Sequence, residues 1–123
     1  MNSIILIDDQ PIANFITRKL LEVAGFKEQV LDFTNPLEAL KFVGEKQASL
    51  IFLDLNMPEM NGWEFLDSLN LKKHPHKIII LTSSTSEIDL QKSKEYPSVV
   101  EYVEKPLNKD KISELSFLLQ QVK

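Results

Sequence analysis

Charged and polar side chains lie at the ends of four short apolar runs in this 123-residue sequence. They are Asp8 and Asp9, Asp54, Thr82, and Lys105. In an open parallel α/β sheet, functional sites form outside the carboxyl ends of the strands. If the apolar runs are strands of such a sheet, the carboxylates, the hydroxyl and the ammonium group meet at a single edge.

Carboxylates that meet at one edge repel each other. Two unit charges about 5 Å apart interact by roughly 3 kcal/mol at an effective dielectric constant near 20. One lysine offsets only part of this repulsion, and a hard divalent cation is the expected counter-charge; oxygen-only ligands favour Mg²⁺ or Mn²⁺ over zinc. A metal, a hydroxyl and a lysine around a carboxylate are typical of a phosphoryl-transfer site, in which the carboxylate itself can be the nucleophile.

The hydrophobic pattern predicts five repeats of a strand followed by a helix. The predicted strands are 4–7, 29–33, 50–53, 78–81 and 99–103. The predicted helices are 10–24, 35–43, 63–70, 86–95 and a last one that begins near residue 108. Apolar strands joined by helical crossovers imply an α/β fold, with a parallel sheet and helices on both faces.

Local patterns define individual helices. The recurrence of Ile12, Ile16 and Leu20 at a spacing of four predicts the first helix. Ser84, three residues before Glu87, predicts a capping box at the start of the fourth helix. In the last helix, the apolar positions predicted to form the inner face are Ile112, Leu115, Leu119 and Val122.

The composition is that of a single globular domain, predicted to span residues 1–123. Hydrophobic residues make up 43% and charged residues 26% of the chain, close to the globular average. A net charge of −4 argues against nucleic acid as a partner, and the absence of cysteine excludes disulfides, thiolate catalysis and cysteine zinc sites. The sequence shows neither a membrane span nor a secretory signal, so we expect a cytoplasmic protein without membrane insertion.

The functional residues, taken in chain order, resemble the motifs of one protein family. The sequence is similar to the receiver domain of two-component response regulators at the acid pair Asp8-Asp9, the segment 54–62 (Asp-Leu-Asn-Met-Pro-Glu-Met-Asn-Gly), Thr82 and the pair Lys105-Pro106. The resemblance covers essentially the whole chain. It implies a flavodoxin-like (βα)5 fold with strand order 2-1-3-4-5, and a stand-alone receiver, like the chemotaxis receivers, without an output domain.

The resemblance also implies a role for each acidic residue. Asp54 would be the phosphoacceptor. Asp8 and Asp9 would hold Mg²⁺ together with Asp54 and the backbone carbonyl of Asn56, and Mn²⁺ could replace Mg²⁺.

The remaining roles concern the phosphoryl group and the response to it. Thr82 would donate its hydroxyl hydrogen bond to the phosphoryl group, and Lys105 would contact another phosphoryl oxygen. The resemblance also implies a cis peptide bond between Lys105 and Pro106, as is usual in the family. Tyr102 resembles the switch aromatic, which turns inward when Thr82 moves toward the phosphate.

The implied partners are proteins. A histidine kinase or a histidine phosphotransfer protein would donate the phosphoryl group. Output would pass to an unknown protein target through the face of the fourth helix, fifth strand and fifth helix, or through a phosphorylation-dependent dimer. Slow Mg²⁺-dependent self-phosphorylation from small donors and autodephosphorylation are expected, rather than conventional enzyme turnover, with Asn56 and Ser84 tuning the access of water.

Three other functions compete with this hypothesis. A phosphatase of the haloacid dehalogenase type needs a second aspartate where Asn56 stands, and a cap domain. A flavin or nucleotide binder needs a phosphate loop rich in glycine, serine or threonine where Asp8 and Asp9 stand. A degenerate receiver could serve only as a docking module. Separately, His74 and His76 form a His-x-His pair that either lies in a surface loop or binds a metal.

Overall fold

A five-stranded parallel sheet forms the centre of the structure, a computed structural model that describes residues 3–44 and 47–122. Its strands are β1 (Ile4–Ile7), β2 (Val30–Phe33), β3 (Leu50–Leu53), β4 (Lys77–Thr82) and β5 (Val99–Glu104). The helices are α1 (Pro11–Val23), α2 (Pro36–Gly44), α3 (Gly62–Leu69), α4 (Glu87–Ser93), α5 (Lys109–Glu114) and α6 (Ser116–Leu119). The strand order is β2-β1-β3-β4-β5, which confirms the predicted topology.

The sheet is covered on both faces. Successive side chains of a strand point to opposite faces, so Ile5 and Ile7 of β1 join one core cluster and Ile4 and Leu6 join the other. Helices α2 and α3 cover the first face, and α1, α5 and α6 cover the second. Because β1 and β3 are buried on both faces, the sequence there is continuously apolar, as predicted.

The predicted last helix is interrupted. At Leu115 the backbone leaves the regular helical conformation, with φ −90° and ψ 1°, and α5 ends where α6 begins. The predicted inner positions are nevertheless all buried: Ile112, Leu115, Leu119 and Val122. The inner apolar face continues across the interruption because the two short helices pack on the same face of the sheet.

The first helix exists as predicted, but of its apolar repeat only Leu20 packs against the core, and the other two residues face outward. Ile12 is 62% exposed and Ile16 is 47% exposed, whereas Asn14 and Thr17 are buried. The amide of Asn14 donates hydrogen bonds to the backbone carbonyl oxygens of Asp8, at 3.3 Å, and Phe33, at 3.1 Å. The ends of β1 and β2 therefore need a polar partner, and that need decides which face of α1 turns inward.

The predicted capping box of the fourth helix is wrong by two residues. Ser86, and not Ser84, is the N-cap of α4, because its hydroxyl oxygen accepts the backbone N–H of Asp89. The Ser84 hydroxyl donates instead to the Asp89 carboxylate, at 2.7 Å.

The histidines before β4 hold backbone groups together. Nδ1 of the buried His76 accepts the N–H of Ser49 at 3.1 Å, so its Nε2 carries the proton and donates to the carbonyl of Val43 at 2.8 Å. Both ring nitrogens of His76 are therefore engaged within the fold. Burial lowers the pKa of His76, because the charged ring would lose its hydration.

No helix in the described part of the chain is long and apolar enough to cross a membrane.

Replacing His76 by glutamine is expected to flatten the pH dependence of stability. Because its pKa is lower in the folded state, His76 takes up a proton more readily when the chain unfolds. Stability is therefore lost as pH falls below about 6.5. His76→Gln should cost about 1–3 kcal/mol at pH 7.5, and should lose less stability than the parent between pH 7.5 and 5.5.

Urea unfolding at several pH values measures this difference. His74→Gln is the comparison variant: burial lowers the pKa of His74 as well, so this variant removes the share of His74 in the pH dependence and keeps the buried imidazole of His76 in place. Equal pH slopes for the parent and His76→Gln would contradict the assignment.

Candidate functional site

The three acidic residues singled out in the sequence lie together at the carboxyl edge of the sheet. Asp8 and Asp9 follow β1, and Asp54 follows β3. The two strands end level, because Ile7 is paired with Leu53 and the N–H of Asp54 donates to the carbonyl of Ile7 at 3.0 Å. One carboxylate oxygen from each acid lies within 4.8 Å of the others. The predicted convergence of the three carboxylates is therefore present.

Lys105 brings a positive charge to this cluster from the end of β5. Its Nζ lies 2.6 Å from Oδ2 of Asp8 and 3.7 Å from Oδ1 of Asp54. The backbone N–H of Lys105 donates to the carbonyl of Thr82 at 2.7 Å, which anchors the residue to the end of β4. The bond between Lys105 and Pro106 is cis, as the resemblance implies.

The surroundings of the Asp54 carboxyl disfavour its negative charge. Burial, and then the nearby charge of Asp8 with a smaller effect of Asp9, raises the pKa of Asp54 from 3.8 to about 6. Lys105 and the backbone N–H of Asn56 act in the opposite direction. The carboxylate is therefore ionised at neutral pH, but at a cost that a further positive charge would relieve.

The loop between β3 and α3 lies directly against Asp54. The N–H of Gly62 donates to the carbonyl of Leu55 at 2.9 Å. A Cβ atom at Gly62 would lie only 2.8 Å from the carbonyl oxygen of Asp54, so only glycine allows this approach. Asn61 and Glu64 form a reciprocal capping box that fixes the start of α3 beside the site.

The hydroxyl of Thr82 is fully buried at the end of β4. Its Oγ1 accepts the backbone N–H of Ser84 at 3.1 Å. The carbonyl of Ser84 in turn accepts the hydroxyl of the half-buried Tyr102, at 3.5 Å. Ser84 therefore links the two residues that the resemblance assigns to the switch.

Trp63 lies beside the site and had no functional prediction. This side chain is half-buried against the first core cluster, and its indole N–H donates to Oδ1 of Asp89 at 3.4 Å. Its ring stacks on Tyr96, with the centroids 5.4 Å apart. No spacing in the sequence predicts these contacts, because α3, α4 and the segment before β5 meet only in the folded chain.

The donor set suits a hard divalent cation. The three acids of the cluster offer oxygen atoms as ligands, and within the described part of the chain Lys105 is the one lysine that contacts them. Oxygen ligands of this kind bind Mg²⁺ and Mn²⁺ in preference to zinc. Among residues 3–44 and 47–122, this is the only cluster of three or more acids, histidines or cysteines close enough to share an ion.

The fold and the acid cluster agree with a comparison against known families. The family model for the response regulator receiver domain matches residues 4–116. The chain therefore belongs to the receiver domain family of response regulators, which function in two-component signalling. Domains of this family are phosphoacceptors modified on an aspartate, and they bind Mg²⁺ at an acidic pocket.

Individual relatives support this membership. The nitrate/nitrite response regulator NarL of Escherichia coli is 34% identical over 88 residues, which cover 72% of this chain and 41% of NarL. The matches span less than half the length of such curated relatives. The crystal structure of a two-component response regulator from Cytophaga hutchinsonii is 28% identical, covers 98% of each chain and superposes with a TM-score of 0.86.

A third relative is known with a metal. The Mn²⁺-bound form of the response regulator Rcp1 is 25% identical, with a TM-score of 0.80, and the match covers 100% of this chain and 98% of Rcp1.

Replacing Asp54 by asparagine is expected to stabilise the metal-free protein. The folded state raises the pKa of Asp54, so the penalty for its charge grows as pH rises from 3.8 through about 6. Asp54→Asn should therefore raise the free energy of unfolding at pH 7.5 by about 1–2 kcal/mol, once screening by nearby water is allowed for. The gain should shrink at pH 5.

Urea unfolding with a chelator present measures this gain. Glu59→Gln is the control, since it removes one negative charge from an exposed position in the same loop. A lower stability of Asp54→Asn at pH 7.5 would overturn this electrostatic account.

Proposed function

We propose that Asp54 accepts a phosphoryl group from a histidine kinase or a histidine phosphotransfer protein, and that residues 1–123 act as one receiver domain. The observation that carries this proposal is the buried, ionised carboxylate of Asp54 between two acids and Lys105. A carboxylate in such a place is a nucleophile that lacks only charge neutralisation of the incoming group.

Asp8, Asp9, Asp54 and the backbone carbonyl of Asn56 are the proposed ligands of Mg²⁺. The cation would supply positive charge to the oxygens of the phosphoryl group and would lower the repulsion within the cluster. Once part of that charge is supplied, Lys105 can release Asp8 and contact a phosphoryl oxygen, since its Nζ already lies between Asp8 and Asp54.

The chemical step transfers the phosphoryl group from a nitrogen atom of the donor histidine to a carboxylate oxygen of Asp54. A carboxylate oxygen of Asp54 forms a bond to phosphorus as the bond from phosphorus to the donor breaks, and the donor keeps the electron pair. The Thr82 hydroxyl donates to a phosphoryl oxygen, and the ammonium group of Lys105 donates to another. Their positive hydrogen atoms then stabilise the charge that the group brings, about −1.5 to −2 at neutral pH.

The surface next to the site suits a protein donor. Helix α1 begins two residues after Asp9, and its exposed apolar side chains in the first two turns are Ile12, Phe15 and Ile16. Exposed apolar patches beside a reactive group favour contact with another protein. Output is proposed through the face of α4, β5 and α5, where Tyr102 is the switch aromatic; a phosphorylation-dependent dimer is one form of that output.

Self-phosphorylation from a small acyl-phosphate donor tests the phosphoacceptor directly. With Mg²⁺ present, the intact mass of the parent should rise by one phosphoryl group, whereas Asp54→Asn should gain nothing. A mass gain retained in Asp54→Asn would place the acceptor elsewhere. No gain in the parent, together with no binding of beryllofluoride, would favour a docking module instead.

Millimolar Mg²⁺ should raise the melting temperature by binding only the folded state. The stabilisation is about 1.4 kcal/mol when the free cation is at ten times its Kd. Asp9→Ala removes a proposed ligand and should lose most of this gain, whereas Glu59→Ala, which removes an exposed acid outside the cluster from the loop between β3 and α3, should keep it. An equal Mg²⁺ effect on Asp9→Ala and the parent would show that the ligand set is wrong.

A further inference from the structure

Hydrogen bonds connect the segment between β4 and α4 to Thr82 at the acid site and, through Asp89 of α4, to Trp63 of α3. Ser84 is the centre of this arrangement, and all its polar groups are engaged. Its N–H donates to Oγ1 of Thr82, and its carbonyl accepts from Tyr102. Its hydroxyl donates to Asp89 at 2.7 Å and accepts the N–H of Ser86 at 3.1 Å.

Asp89 continues the connection to the surface. One carboxylate oxygen, Oδ2, accepts the Ser84 hydroxyl, and the other, Oδ1, accepts the indole N–H of Trp63 at 3.4 Å. The bond from Ser84 has the short length that is usual for a hydrogen bond to a carboxylate, whereas the bond from the indole is long. Trp63 lies on α3, and Asp89 lies on α4, so this carboxylate joins two helices as well as the loop.

We propose that Thr82, Ser84, Asp89 and Trp63 form a hydrogen-bonded relay that transmits occupancy of the acid site to the surface between α3 and α4. Ser84 and Asp89 are positioning residues in this relay, and Trp63 is its outer end. The proposal rests on the phosphoacceptor function, and it adds a route that leaves the site without passing through Tyr102.

The physical basis is the position of the Thr82 hydroxyl. A hydroxyl that accepts a hydrogen bond can still donate its own proton, so Thr82 can accept from Ser84 while it donates to a phosphoryl oxygen. Donation polarises the hydroxyl oxygen and strengthens the bond that it accepts. A displacement of Thr82 therefore displaces Ser84, and the hydroxyl of Ser84 passes the displacement to Asp89 and Trp63.

Trp63 makes the relay measurable because it is the only tryptophan in the sequence. Indole emission responds to hydrogen bonding and to charges near the ring. We expect beryllofluoride with Mg²⁺, a stable mimic of the phosphoryl group, to change the emission of the parent. Binding is followed independently from the fluorine NMR signals of the bound mimic.

Two variants cut adjacent links of the relay. Ser84→Ala and Asp89→Ala should still bind the mimic, but each should lose most of the emission change. The double variant should lose no more than either single variant, because both remove the same path. Asp89→Asn keeps one acceptor oxygen and should restore part of the change. Melting curves establish that each variant is folded.

Lys92→Met is the matched control. The Nζ of Lys92 lies 5.1 Å from the centroid of the Trp63 ring, outside the relay. This variant should alter the starting emission of Trp63 and keep the response to the mimic.

Two results would overturn the relay. The first is a full emission response in either Ser84→Ala or Asp89→Ala. The second is an unchanged emission in the parent although the fluorine signals show that the mimic is bound. Absence of those signals in the parent would instead refute the phosphoacceptor function itself, and the relay with it.

Discussion

Repulsion among the carboxylates at one edge of the sheet is the constraint on which the rest of the structure depends. Asp8, Asp9 and Asp54 lie within 4.8 Å of one another, and Lys105 is the cation that contacts two of them. Burial and then the charge of Asp8 raise the pKa of Asp54 to about 6, and Lys105 lowers it only in part. The folded chain therefore holds the site in a state that a divalent cation or a phosphoryl group changes strongly.

Such a cluster persists only on a rigid support. The strands β1 and β3 that carry the acids are buried on both faces, and their ends are level in the sheet. The loop after Asp54 is held close by Gly62, where a side chain would collide with the Asp54 backbone. Burial of these apolar strands offsets the electrostatic cost at their ends, in the way that strained functional sites are supported elsewhere in a fold.

Several features escaped the sequence because each depends on contacts between distant elements. Asn14 turns inward on α1 in place of Ile12, since the ends of β1 and β2 offer carbonyl groups that need a donor. Ser84 looked like a helix cap, but its hydroxyl binds the side chain of Asp89 instead. Trp63 packs against the first core cluster, and its indole N–H also donates to Asp89 of α4, a partner 26 residues away in the sequence.

The sequence by itself determined the α/β class, the five strands and the residues that gather at their ends. Continuous apolar runs require burial on both faces, and parallel strands bring their carboxyl ends to one edge. The tertiary structure alone decided the distances from Lys105 to Asp8 and Asp54, and the bonds that Ser84 makes. Periodicity describes which side chains share a face of one helix or strand. A hydrogen bond between two elements depends on how their side chains meet after packing.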